Sequence, residues 1–193
     1  MTVANRSIKA KPQALPDYLT EDLNNAFVIR PSGVAENSMV HLAPREELSL
    51  ELLPAGDVSV PLEFWLQHKA ALLARGTVVA VQVAGAEHID SLQADLEKIA
   101  VIVLPFVNFV DGRNYSDAFK LRTRHHYQGE IRAVGDVHFD QIGFLARVGV
   151  DAFELSDAED HVYAQRAFKE FSQVYQPSSD GAALIFSRRR VKH

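Results

Sequence analysis

Asp111, Arg113 and Asn114 stand in the run Asn-Phe-Val-Asp-Gly-Arg-Asn-Tyr-Ser-Asp at 108–117, directly after the most apolar stretch of the chain. Together with Arg132, Asp136, Gln141 and Glu154 they supply carboxylates, guanidiniums and amides, the groups that hold a small anion. A helix beginning near Asn114 would offer open backbone amides and a partial positive charge, and Arg113 would add a fork of donors. Turn and cap chemistry explains the same residues. Gly112 and Asn114 tolerate positive φ, Asn114 is a good N-cap, and Asp117 suits a first helical turn.

Arg132 lies inside a short apolar segment, where a cation needs a carboxylate, a ligand or a path to water. Glu130, Asp136 and Glu154 are the candidate partners within reach of the pattern. Asp136 doubles as an N-cap for the helix that follows it. His138 is the one histidine placed for acid–base work, since a neutral imidazole serves near pH 7; a surface or cap role is the plainer reading and outweighs it. His125 and His126 are adjacent and so diverge on a helix, unlike metal ligands four apart. Asp136 with Glu154 could hold magnesium, but no spacing signature accompanies them and no metal site is expected. "VAGAEH" at 83–88 is neither a dinucleotide nor a phosphate-loop fingerprint, and no cofactor can be read from the chain.

These residues acquire meaning from the elements that carry them. "TVVAVQV" (77–83), "AVIVLPFV" (100–107), "GEIRAVGDV" (129–137) and "DAFEL" (151–155) read as strands. Between them Ile89, Leu92, Leu96 and Ile99, then 114–127, then 138–148 read as helices, the last ending at Gly149. Ser156 to Glu159 forms a capping box for a helix running to about Tyr175. Pro105 suggests a bulge or an early end to pairing. Further upstream, 26–31 and 48–53 read as short strands. Pro61 opens a helix closed by Gly76, with Leu62, Trp65, Leu66, Ala70 and Leu73 recurring at helical spacing. The pattern predicts an α/β fold of about four strand–helix units, an open or half-barrel parallel sheet with an N-terminal β-containing extension. Residues 1–25 are expected to be irregular, 26–176 a single domain, and 177–193, ending "SRRRVKH", a flexible basic tail. In parallel α/β sheets ligands sit beyond the carboxyl ends of the strands. That rule gathers residues 82–85, 108–113, 135–141 and 154–157 onto one rim.

The composition narrows the partners. The chain has 193 residues, a net charge of −5 and no cysteine, which excludes disulfides, thiolate chemistry and cysteine-bound metals. The acidic balance argues against nucleic acid. No apolar run of membrane-spanning length appears, and the polar, proline-broken start has no leader-like core, so a cytoplasmic location is expected.

The motifs of 111–155 resemble a bacterial family, domain of unknown function 934. Its pattern runs Asp-Gly-Arg-Gly-Tyr-Ser, Gly-Glu-Leu-Arg-Ala-Val-Gly-Asp-Val, Asp-Gln, then Gly-Phe-Asp-Ala-Phe-Glu-Leu. Here these are Asp111 to Ser116, Gly129 to Val137, Asp140-Gln141 and Gly149 to Leu155. The likeness extends more weakly over about 60–176. It implies an oxidoreductase component of assimilatory sulfite reduction, or a non-catalytic accessory of a sulfite reductase complex; whether the chain is itself an enzyme stays open. The implied partners are a sulfite reductase subunit, a small anion or a second copy of the chain. This chain departs from the pattern at Asn108, Phe139 and Val148, where relatives tend to carry lysine, arginine and cysteine. A loss of cations there would weaken the grip on a multiply charged anion.

Overall fold

The computed structural model describes residues 26–44, 48–84, 89–106, 112–155, 160–168 and 175–182. Its strands are β1 (Phe27–Arg30), β2 (Gly33–Glu36), β3 (Val40–His41), β4 (Val58–Pro61), β5 (Val79–Gln82), β6 (Val101–Phe106), β7 (Glu130–Gly135) and β8 (Ala152–Glu154). The helices are α1 (Leu62–Leu73), α2 (Arg113–Thr123), α3 (Phe139–Val148) and α4 (Asp160–Ala167). The eight strands form one sheet in the order β2-β1-β8-β7-β6-β5-β4-β3. From β3 to β8 they run parallel in chain order, while β1 pairs antiparallel with both β2 and β8.

The expectation of four parallel strand–helix units is therefore too small, and the sheet is mixed. Two parallel strands, β3 and β4, were not legible, and 48–53 is not a strand but a 3-10 turn over Leu50–Leu52. Leu50 and Leu52 are exposed, so their alternation had no sheet face to join. The expected helix over 89–99 is instead two 3-10 turns, Ile89–Leu92 and Leu96–Lys98. Apolar residues three apart suit the three-residue turn as well as the α-helix. Pro61 ends β4 and caps α1 rather than opening it, and Leu62, Phe64, Trp65 and Leu72 are the residues α1 buries.

Strand alternation sorts the side chains into two faces. Ile29, Val58, Val60, Val81, Ile102, Leu104, Ile131, Ala133 and Phe153 point outward and pack with Trp65, Leu72, Leu121, Ile142, Leu145 and Ala164 of the helices. Right-handed crossovers between sequential strands place the helices on that one face. The opposite face holds a small apolar cluster, Met39, Ala80, Val101, Val103 and Val134. Its polar neighbours show how far the sheet bends. His41 on β3 and Glu154 on β8 are five strand steps apart in the sheet order, a gap of about 24 Å if the sheet were flat. Their side chains meet at 2.9 Å. The sheet is curled into a half-barrel, and this contact spans its mouth.

Candidate functional site

The concave face carries a continuous polar layer. His41, Gln82 and Glu154 are each the last residue of their strand, so the layer lies at the carboxyl ends, where the parallel fold favours a site. Glu154 Oε2 lies 2.9 Å from His41 Nε2, and Ser59 Oγ lies 2.6 Å from His41 Nδ1. A carboxylate only accepts, so Nε2 carries a proton and donates to Glu154, while Nδ1 and the Ser59 hydroxyl share the second bond. Gln82 Nε2 donates to Ser59 Oγ at 2.8 Å and to the carbonyls of Leu42 and Ser59.

On the other side, Arg132 donates to Glu154 Oε1 at 2.9 Å, to Glu130 Oε1 at 2.8 Å and to Asn37 Oδ1 at 3.2 Å. Arg30 meets the remaining Glu130 oxygen at 2.8 Å. Two guanidiniums thus face two carboxylates. Burial pushes the Glu130 carboxyl up, but the Arg30 hydrogen bond and the charge and hydrogen bond of Arg132 outweigh it and hold it below the usual range.

The order hydroxyl–imidazole–carboxylate is that of an activated serine nucleophile. Ser59 and His41 are both 0% exposed, however, and the Ser59 oxygen already accepts from Gln82. In this arrangement the layer ties strands together.

The residues singled out in the sequence divide. Arg132 and Glu154 are brought into direct contact and are buried. Asn114 is not the N-cap of α2; Gly112 holds that position, and Asn114 donates to the Pro105 carbonyl at 2.6 Å. Pro105 makes no bulge. It sits in register with Val134, and its missing N–H faces the side where β5 has ended, with Val83 to Val103 as the last bond there. Gln141 accepts from the His138 amide at 3.0 Å as part of the α3 cap, and it bonds Tyr115. Asp136 is exposed and pairs with His138 at 3.0 Å, while His138, not Asp136, is the N-cap of α3. Arg113 is exposed at the first residue of α2. Asp111, Asn108, the Ser156–Glu159 box and the basic tail lie outside the described residues. His125 and His126 follow α2 rather than belonging to it, and His126 has a positive φ of 53°. No group of three or more metal-ligating side chains occurs among the described residues.

Three groups escaped the sequence reading. His41 and Ser59 pair with residues far along the chain and lie on strands too short to show a pattern. Arg122 holds the carboxyl side of α2, donating to the carbonyls of Tyr127, Gly129 and Gly149 and to Asp151. Its guanidinium also sits 5.6 Å from the centre of the Tyr127 ring. Burial pushes the Tyr127 phenol well above its usual range, against the Arg122 charge.

The helical face has a different character. Phe144 of α3 is 55% exposed, and its ring lies 5.4 Å from that of Tyr115 on α2. On the other flank of α3, Phe139 stacks at 5.9 Å on Tyr163 of α4. Phe139, Tyr163, Arg166 and Ala167 line a cavity of about 240 Å³. Phe139 is the position where the resemblance expects arginine.

Residues 80–186, more than half of the chain, match the family described as bacterial protein of unknown function, DUF934. The chain belongs to this family. The match contains β6, β7, β8 and the helices α2 to α4, so the polar layer of this DUF934 protein is built partly outside it: His41 and Ser59 precede the matched span, while Gln82, Arg132 and Glu154 lie within it. No curated protein matches the chain. Among the described residues no helix is long and apolar enough to cross a membrane.

Proposed function

We propose that this DUF934 protein is a non-catalytic accessory that docks on a subunit of a sulfite reductase complex through the outer face of α3. The observation that carries the reading is the disposition of charge. Arg132, the cation most in need of a partner, is compensated within the fold by Glu154 and Glu130, and Asn114 and Gln141 serve the backbone. Phe144, Phe139 and Tyr163 are meanwhile turned to solvent. Exposed aromatic rings are the side chains that anchor protein interfaces. The partner class follows from the resemblance of 111–155 to a family linked to sulfite reduction. Purified chain titrated with the purified haem subunit of sulfite reductase from the same organism is expected to form a complex, weakened at least tenfold by Phe144→Asp. Absence of a complex overturns the reading.

A second reading is favoured by Arg113. It is exposed at the first residue of α2, above a Gly112 cap that supplies no side-chain hydrogen bond, as an anion site at a helix start requires. Asp111, Arg113, Asn114, Arg132, Asp136, Gln141 and Glu154 would then form a rim for sulfite or a similar small anion, with any redox cofactor supplied by the partner. Arg113→Ala should cost little stability and abolish sulfite binding measured by calorimetry; unchanged binding removes Arg113 from the site.

A further inference from the structure

The cavity between α3 and α4 points, we propose, to a binding site for a small apolar monocarboxylate, which shares Phe139 and Tyr163 with the docking face but does not rest on that reading. Its volume of about 240 Å³ holds about eight waters at roughly 30 Å³ each, or one ligand of about ten non-hydrogen atoms. Phe139 and Tyr163 form the apolar wall. Their ring centres are 5.9 Å apart at an interplanar angle of 41°, too close for a third ring to slide between them. A ligand ring therefore packs on their common outer surface, in the tilted geometry that aromatic groups prefer.

Arg166 is the charged side chain among the described lining residues. It has no ion pair with a described residue, unlike Arg30, Arg122, Arg132 and Arg147, which all have carboxylate partners. A guanidinium is always charged and presents a planar fork that matches a carboxylate. The floor is fixed by close packing. A Cβ on Gly143 would come within 3.2 Å of the Ala167 carbonyl, so glycine there lets α4 approach α3. One cation at the edge of an aromatic wall selects an acid with one ring or a short chain.

The test is a two-dimensional NMR titration of the intact chain with benzoate and 3-phenylpropionate, with benzamide as the neutral control. Saturable shifts confined to α3 and α4 are expected, with benzamide at least tenfold weaker. Arg166→Gln should weaken benzoate binding at least tenfold, and Phe139→Ala several-fold, with melting temperatures held near wild type. Benzamide binding as tightly as benzoate, or Arg166→Gln binding unchanged, overturns the proposal. So does tighter binding of an acetylated tripeptide ending in phenylalanine, which would reassign the cavity to a chain terminus.

Discussion

Replacing Arg132 with methionine removes the cation at the centre of the polar layer while keeping much of its stem. Its side chain is 7% exposed and that of Glu154 0%. The change strips Glu154 of its guanidinium, while the bond from His41 remains. Glu130 keeps Arg30 and is partly exposed, so water can help it and its share of the loss is small. Breaking a buried pair by removing one partner costs about 3–5 kcal/mol. The surviving bond from His41 places the expected loss near the lower end, about 3 kcal/mol. For a chain of this size that corresponds to a fall in melting temperature of about 6–12 °C. Urea unfolding and thermal melts of Arg132→Met, Glu154→Met and the double variant measure it. The double variant should recover part of the loss, because the uncompensated charge is gone, leaving a deficit of at least about 1 kcal/mol for the stranded His41 donor. An Arg132→Met protein within about 1 kcal/mol of wild type would refute internal compensation. Residues held for a ligand are often neutral or stabilising when replaced, so the same result would return Arg132 to the binding rim.

Glu130→Gln tests the acid side. The folded carboxyl lies below its usual range, so its contribution is present above about pH 4 and fades as pH falls through the folded value. The variant should be less stable than wild type at pH 7, and the gap should close in acid, as read by urea midpoints across pH. Tyr127 gives the opposite sign. Its raised phenol stabilises the fold below about pH 10, and that contribution is lost as pH rises through the folded value. Tyr127→Phe should lose about 1 kcal/mol at pH 7 with the bond to the Ile99 carbonyl, yet flatten the alkaline decline in melting temperature. Gly149→Ala should be severe. Gly149 has φ of 112°, and an added Cβ would lie 2.3 Å from Arg122 Cγ, displacing a side chain that ties four groups. A loss of about 2–4 kcal/mol is expected by urea unfolding. Gly181→Ala, with positive φ but open space, should cost about 1 kcal/mol.

Much of the second half of the fold was legible because local pattern and long-range outcome agree there. The apolar run at 101–106 is buried on both sides, and α3 stops at Gly149 as expected, with a left-handed backbone there. The need of Arg132 for a carboxylate was readable from its apolar neighbours, and two of the three named acids answer it. The first half resisted for a physical reason. A two-residue strand such as β3 has no period, and its place is set by pairing with β4 and by a bond from His41 across 113 positions. The six-residue alternation at 48–53 looked like a strand but offers no buried face. Asn114 and Gln141 stand out as polar residues near the strand ends, but their partners, backbone groups and for Gln141 also the Tyr115 hydroxyl, are brought close only by the folded turns.

The most direct measurement is the affinity of the purified wild-type chain for the purified haem subunit of sulfite reductase, set beside Phe144→Asp and Arg113→Ala in the same titration. The docking account predicts a complex lost or weakened at least tenfold by Phe144→Asp and unchanged by Arg113→Ala. A complex indifferent to Phe144→Asp, or no complex at all, contradicts it.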